Sequence, residues 1–184
     1  MAYTPRLVAA PPSLWRIGRG TDPYSTKPPE PLDVLDAKAG NRFDSADGNF
    51  AVRYFATQPE ACFGEVLASL RPSLPMQAIV EDEWRERGFM MVGSIPADWR
   101  HRRLLVDATI KGTYLDIEAD ETHVWLEHQG NLAVSLTNFG VTQIDVPAIR
   151  GHDRRVTRTI AQWVHDHTDY ADIRYLSRLD TDWE

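Results

Sequence analysis

Glu65 is the carboxylate whose neighbours point most directly to chemistry in this chain of 184 residues. It falls in a stretch with helical periodicity, and the face that carries it also carries Ala61, Gly64 and Ala68, side chains small enough to let another backbone or a ligand come close. A carboxylate in such a face is either paired with an arginine in a core or presented in a cleft, and periodicity leaves both readings open. Arg16, Arg19, Arg42 and Arg53 lie on expected strands or beside a glycine-containing loop just ahead of that helix. Guanidinium groups suit bidentate recognition of phosphate or carboxylate, and they serve equally as solvated surface. Tyr54 sits within an apolar strand, where a phenol is either core with its hydroxyl satisfied or a stacking face for a ligand ring.

Other chemistries find little support. His165 and His167 project about 200° apart on a helix, and His123 and His128 are five residues apart, so neither pair shares a helical face for a metal. The single cysteine, Cys62, excludes an intrachain disulfide and a multi-cysteine zinc site. No Gly-x-Ser-x-Gly, P-loop or Gly-x-Gly-x-x-Gly pattern is present. Asp107 and Thr109, at a strand end, read as a turn cap.

The elements that must position these groups can be read from pattern. Leu14 to Arg19 alternates as a strand, and residues 20–49 form a long loop of a kind that is often functional. Residues 50–56 (FAVRYFA) read as a buried strand. Thr57 to Glu60 is a capping box with Pro59 in the first turn, opening a helix to about Leu70 whose core stripe is Phe63, Val66, Leu67 and Leu70. Further strands are expected at 76–80, 89–94, 103–109 and 172–177, and helices at about 120–129, 130–138 and 151–167. In the last helix Val156, Ile160, Trp163 and Val164 form an amphipathic stripe. Strands and helices mix without regular alternation, which favours a compact α+β fold with a central mixed or antiparallel sheet flanked by helices.

Length and composition fit one domain over 1–184, with 1–13 as an extended or disordered leader. Seven of the twelve prolines fall within residues 1–31. Hydrophobic residues make up 42% and charged residues 26%, a globular balance that argues against widespread disorder. No apolar run is long enough for a membrane span or a secretory signal, so a cytoplasmic location is expected. The net charge of −7 disfavours direct nucleic-acid binding, although the clusters Arg100/Arg102/Arg103 and Arg150/Arg154/Arg155/Arg158 leave local anion binding open.

Taken in order, these segments resemble the RES family, the toxin half of bacterial RES–Xre toxin–antitoxin pairs. Leu14-Trp15-Arg16-Ile17-Gly18-Arg19 is similar to the family's opening aromatic-Arg strand. Gly40-Asn41-Arg42-Phe43-Asp44-Ser45 with Gly48 is similar to its Gly-Gly-Arg-aromatic loop. Val52-Arg53-Tyr54-Phe55-Ala56, then Pro59-Glu60-Ala61 and Glu65-Val66, resemble its Tyr…Glu strand and helix, and Ile173 to Arg178 resembles its Tyr-x-Ser-Arg strand. The likeness spans about residues 14–183. It departs at Asn41, which replaces the second glycine and tolerates the left-handed turn better than most residues, and at Trp183-Glu184, where the family pattern has a further apolar segment.

The resemblance implies a fold like that of ADP-ribosyltransferases and a reaction that consumes NAD as substrate, with no recycled cofactor and no metal. Glu65 and Arg42 are the implied catalytic residues. Arg16 and Arg42 would hold the pyrophosphate, Tyr54 would orient the nicotinamide-ribose, and Ser177 would hydrogen-bond the amide or ribose, although Ser45 also lies in a matching motif. Inorganic phosphate, water or a protein side chain would be the acceptor. An Xre-type antitoxin is the implied partner. Two alternatives stand beside this: a catalytically silent RES-like binding module, and a glycosidase pairing Glu65 with an aspartate.

Overall fold

The computed structural model describes residues 3–71, 94–177, 179 and 182. Its α+β architecture is the expected one, with the strands in two sheets. β2 (Leu14–Arg19) and β3 (Arg103–Ala108) form an antiparallel pair running from Leu14 opposite Ala108 to Arg19 opposite Arg103. The second sheet is mixed: β4 (Thr113–Asp116) lies in the middle, antiparallel to β1 (Leu7–Ala9) and parallel to β5 (Asp172–Arg174). β1 thus draws part of the expected leader into the sheet.

Helix α1 spans Pro59–Leu67 and tightens into a 3-10 turn at Ala68–Leu70. A second 3-10 turn, Trp99–Arg102, leads into β3. After β4 come α2 (Asp120–Glu127), α3 (Gly130–Thr137), the short α4 (Val146–Arg150) and α5 (Arg154–His167). Asp145 caps α4 by accepting from the Ala148 amide at 2.8 Å, and Asp153 caps α5 by accepting from the Arg155 amide at 3.0 Å.

The main core gathers Leu115 and Ile117 from β4 and its exit, Leu126 from α2, Leu132 and Leu136 from α3, Ile149 from α4, and Val156, Ile160 and Val164 from α5. Full burial of each such side chain stabilises the fold by about 1.5–3 kcal/mol. The α5 stripe is the expected one, with Trp163 half-buried edge-on against Trp125 at 5.4 Å. A smaller cluster joins α1 to β2: Ala61 and Cys62 pack with Ala56 against Trp15 and Ile17.

Three expectations need correction. Residues 50–56 are not a strand; they meet β2 at one bridge, where Trp15 and Ala56 exchange both main-chain bonds at 2.7 and 2.8 Å. Their carbonyls are taken instead by side chains, Tyr54 by Arg16 at 3.1 Å and Val52 by Thr26 at 3.5 Å, so tertiary contacts override the β propensity of the aromatics. The α1 cap is Gln58, with no side-chain cap bond, and not Thr57. The face of α1 is also turned: Ala61 and Cys62 are buried, while Phe63 is 38% exposed and rests 6.2 Å from Trp99. Ala61 is small enough to let α1 lie close on β2, which Phe63 is not. The strands expected at 76–80 and 89–94 lie outside the described residues, apart from Ser94.

Candidate functional site

α1 carries Glu65 on its solvent side, one turn beyond the Ala61–Cys62 contact with β2. The chain after β5 brings Ser177 to it: the Ser177 hydroxyl donates to Glu65 Oε1 at 2.5 Å, across 112 positions of sequence. Ser177 is only 5% exposed whereas Glu65 is exposed, so the serine fixes a carboxylate that solvent or a ligand can reach. Ser177 Oγ also accepts from the Leu179 amide at 3.1 Å, which orients its proton toward the carboxylate. Ser45, the other serine in a matching motif, is fully buried beside Asn49 and Gln162, at 2.8 and 3.1 Å.

Tyr54 closes a polar knot with Asn41, Phe43 and Asp44, the loop residues on either side of Arg42. The Tyr54 hydroxyl accepts from the Phe43 amide at 2.9 Å and donates to Asp44 at 3.2 Å. Burial, and then the neighbouring Asp44 charge, push its pKa well above the ordinary phenol value, so Tyr54 acts as a neutral donor. Asp44 also accepts from the Asn41 amide at 2.7 Å and from the Asn41 side chain at 2.9 Å. Gly40 takes the left-handed conformation of this turn (φ 59°) and no non-glycine does, so Asn41 contributes a side-chain clasp and not an unusual backbone.

The Arg42 guanidinium donates to the main-chain carbonyl of Ile149, and to those of Arg150 and Gly151 at 2.9 and 3.0 Å. These are carbonyls of the last turn of α4, so Arg42 anchors that helix end. Arg16 donates to Pro23 O at 2.9 Å and to Tyr54 O at 3.1 Å, tying β2 to the 50–56 segment. Burial first, and then the nearby Arg53, weaken its hold on its proton, a strain that a bound anion would relieve. Tyr175 lies where the charges of Glu65 and Arg42 both reach it. Burial raises its pKa most, Glu65 raises it further and Arg42 opposes.

One residue of this network was not singled out from sequence. Glu118, nearly buried, forms a bidentate pair with Arg150, the closest contact being 2.9 Å, and accepts from the Leu176 amide at 3.0 Å. It thereby fixes the residue before Ser177. The basic cluster around residues 150–158 is engaged in the same structural way. Arg154 donates to the carbonyls of Lys38, at 3.0 Å, and Gly40, and the 2%-exposed Arg158 donates to those of Ala39 and Asp36 at 2.9 and 2.8 Å. Arg155 pairs with Asp153 at 2.6 Å. This cluster holds the loop that carries Arg42, and its guanidinium groups are not aligned as an anion patch.

The family assignment follows from the whole chain. The RES domain family model matches residues 13–183. The chain belongs to the RES domain family. No curated protein and no solved structure matches it. Among the described residues, no helix of this RES domain is long and apolar enough to cross a membrane, and no three His, Cys, Asp or Glu side chains converge as a metal cluster.

Proposed function

We propose that this RES domain cleaves NAD at the nicotinamide–ribosyl bond, with inorganic phosphate or water as acceptor. The observation that carries the reading is the 2.5 Å bond from buried Ser177 to exposed Glu65, which sets one carboxylate in a fixed direction beside Tyr175.

The bond between ribose C1′ and the pyridinium nitrogen breaks, and its electron pair leaves with nicotinamide as a neutral molecule. No strong general acid is therefore required. Positive charge develops on the ribose as an oxocarbenium-like centre, which the Glu65 carboxylate stabilises, its Oε2 accepting from a ribose hydroxyl. An oxygen of phosphate then bonds to C1′ and gives ADP-ribose-1″-phosphate. With water as the nucleophile the products are ADP-ribose and a released proton. Arg16 faces the pyrophosphate, Arg42 holds the loop and the α4 end in place around it, Tyr54 orients the nicotinamide-ribose, and Ser177 keeps Glu65 directed. A protein acceptor would make the same site an ADP-ribosyltransferase. In this reading the protein is the toxin of a toxin–antitoxin pair, acts in the cytoplasm, and is held inactive by an Xre-type partner.

The test is to incubate the purified protein with NAD, with and without inorganic phosphate, and to resolve products by phosphorus NMR. A phosphate-dependent new ester signal identifies phosphorolysis, and ADP-ribose without phosphate identifies hydrolysis. Unchanged NAD from folded protein refutes the reading in favour of a binding module. Glu65→Gln should abolish NAD loss while the protein still unfolds cooperatively.

A further inference from the structure

β3 is an edge strand, and its outward main chain is unpaired among the described residues. Hydrogen-bonded and non-hydrogen-bonded pairs alternate along an antiparallel ladder. Trp15 gives both its main-chain groups to Ala56, so Trp15 and Asp107 form a non-hydrogen-bonded pair of the β2–β3 ladder. The N–H and C=O groups of Arg103, Leu105 and Asp107 therefore point away from β2. Two of these groups are used within the chain. The Arg103 amide donates to the Arg100 carbonyl, and the Asp107 carbonyl accepts from the Tyr24 hydroxyl at 2.6 Å. The Leu105 N–H and C=O, the Asp107 N–H and the Arg103 C=O make no hydrogen bond among the described residues.

Folded proteins keep such edges short or blunt them with proline. β1 and β5 follow that rule, with three residues each and with Pro5 and Pro11 bracketing β1. β3 does not. It has six residues, no proline, and leaves Leu104 47% and Leu105 40% exposed on opposite faces.

The charges on β3 select its occupant. Arg103 and Asp107 flank Leu105 at equal spacing and share one face of the strand. Across the ladder Arg103 meets Arg19, a like-charge pair at a position where side chains come close. The Arg103 guanidinium lies 4.5 Å from the Trp99 ring centre and donates from Nη1 to the Trp99 carbonyl at 3.2 Å. Its Nη2 makes no bond among the described residues, and the exposed Asp107 carboxylate is in no ion pair among them. A second β3, laid antiparallel about Leu105, sets Arg103 opposite Asp107 in both directions, Leu105 opposite Leu105 and Leu104 opposite Val106. The main chain matches in the same register. The Arg103 N–H and Asp107 C=O would be partners there, and they are the two groups already satisfied; each unbonded donor meets an unbonded acceptor.

We propose that the chain forms a symmetric homodimer in which β3 pairs with β3 of a second copy, joining the two β2–β3 pairs into one antiparallel sheet. The Leu105 residues exchange main-chain bonds at the two-fold axis, each Asp107 N–H donates to the opposite Arg103 C=O, and the Arg103 and Asp107 side chains form ion pairs between the copies. The inference does not depend on NAD chemistry.

Sedimentation equilibrium of the purified protein at up to about 100 μM should show a monomer–dimer equilibrium. Asp107→Arg sets two arginines opposite each other and should weaken the dimer at least tenfold. Single cysteines test the register without touching those charges, at two exposed positions. Leu105→Cys lies opposite itself and should oxidise to a disulfide-linked dimer, whereas Leu104→Cys, opposite Val106, should cross-link at least tenfold more slowly. Cys62 is buried and present in both proteins. A protein monomeric throughout, a dimer indifferent to Asp107→Arg, or cross-linking as fast at position 104 as at 105 would each overturn the proposal.

Discussion

Replacing Asp172 by asparagine should stabilise the protein at pH 8 and change little at pH 4. The carboxyl has a pKa of 3.8 when unfolded and is pushed to about 6 by burial in the fold. Between those values the folded state binds the proton more tightly than the unfolded state, so stability falls as pH rises through the window. The loss is complete above about pH 6. Roughly two units at 1.36 kcal/mol each put the full penalty at about 3 kcal/mol. Asparagine keeps an oxygen to accept from the Ile173 amide, the one bond the aspartate makes here, and carries no charge to desolvate. The double difference between the two residues and the two pH values should therefore be about 2–3 kcal/mol in favour of asparagine at pH 8. For a chain of this length that is about 5–10 °C in melting temperature. The other titratable or charged groups in the wall of the cavity that Asp172 lines, Tyr24, Arg53, Tyr54, Tyr114, His165, Asp169, Tyr170, Arg174 and Tyr175, are common to both proteins, so the double difference removes their own titration. Urea unfolding at pH 4 and pH 8 supplies the four numbers. An equal effect of the substitution at both pH values would show that Asp172 is solvated or ion-paired and would refute the reasoning.

Three further outcomes are expected. Ser177→Ala removes the 2.5 Å donor to Glu65; because the carboxylate is exposed to water, unfolding free energy should fall by only about 1 kcal/mol, while NAD cleavage should slow by about 10²-fold through misdirection of the carboxylate. Glu118→Gln leaves Arg150 without its charge partner and weakens the acceptor for the Leu176 amide; urea unfolding should register a loss of about 1–3 kcal/mol, and NAD turnover should fall with KM little changed. Gly18→Ala would place a Cβ 2.3 Å from the Pro23 main chain, whose carbonyl takes Arg16; the backbone must move, and a loss of about 1–3 kcal/mol by urea unfolding is expected.

The residues that sequence reading located well are those whose local pattern and tertiary role agree. β2 occupies the expected span, Leu14–Arg19, and α5 keeps the Val156, Ile160 and Val164 stripe because its amphipathic period matches the face it buries. β1 and β4 were missed because each has only three or four residues, too few for alternation to register. α4 has five residues, and its signals are the Asp145 cap and Pro147 in the first turn, which could have been read. Residues 50–56 misled because aromatic and β-branched content reports fit to a half-buried surface and not the presence of a strand partner. In the site, Glu65 and Ser177 were legible as separate motifs, but their contact spans 112 positions and no local pattern encodes it. Glu118 belongs to the acidic run 116–121 and Arg150 to a basic cluster. The basic cluster read alone left anion binding open, and opposite charge between the two runs was the one available hint of the pair.

A continuous line of polar contacts joins the two halves of the site. The Arg42 guanidinium takes the carbonyls that end α4, and the side chain of Arg150 in that turn grips Glu118. Glu118 fixes the Leu176 amide, and the next residue, Ser177, holds Glu65. Arg42 therefore reaches the carboxylate through main-chain geometry and need not touch it. Through α4, Arg42 supports the register of the chain after β5, and the proposed function would add positive charge at the substrate as a second role. The two roles separate under substitution. Arg42→Lys keeps a cation but cannot serve three carbonyls in a fixed fork. It should disturb the amide signals of Gly151, Leu176 and Ser177 even in the absence of NAD. A variant that lost NAD cleavage with those signals unmoved would assign Arg42 to substrate contact alone and break the chain of contacts as an explanation of how Glu65 is held.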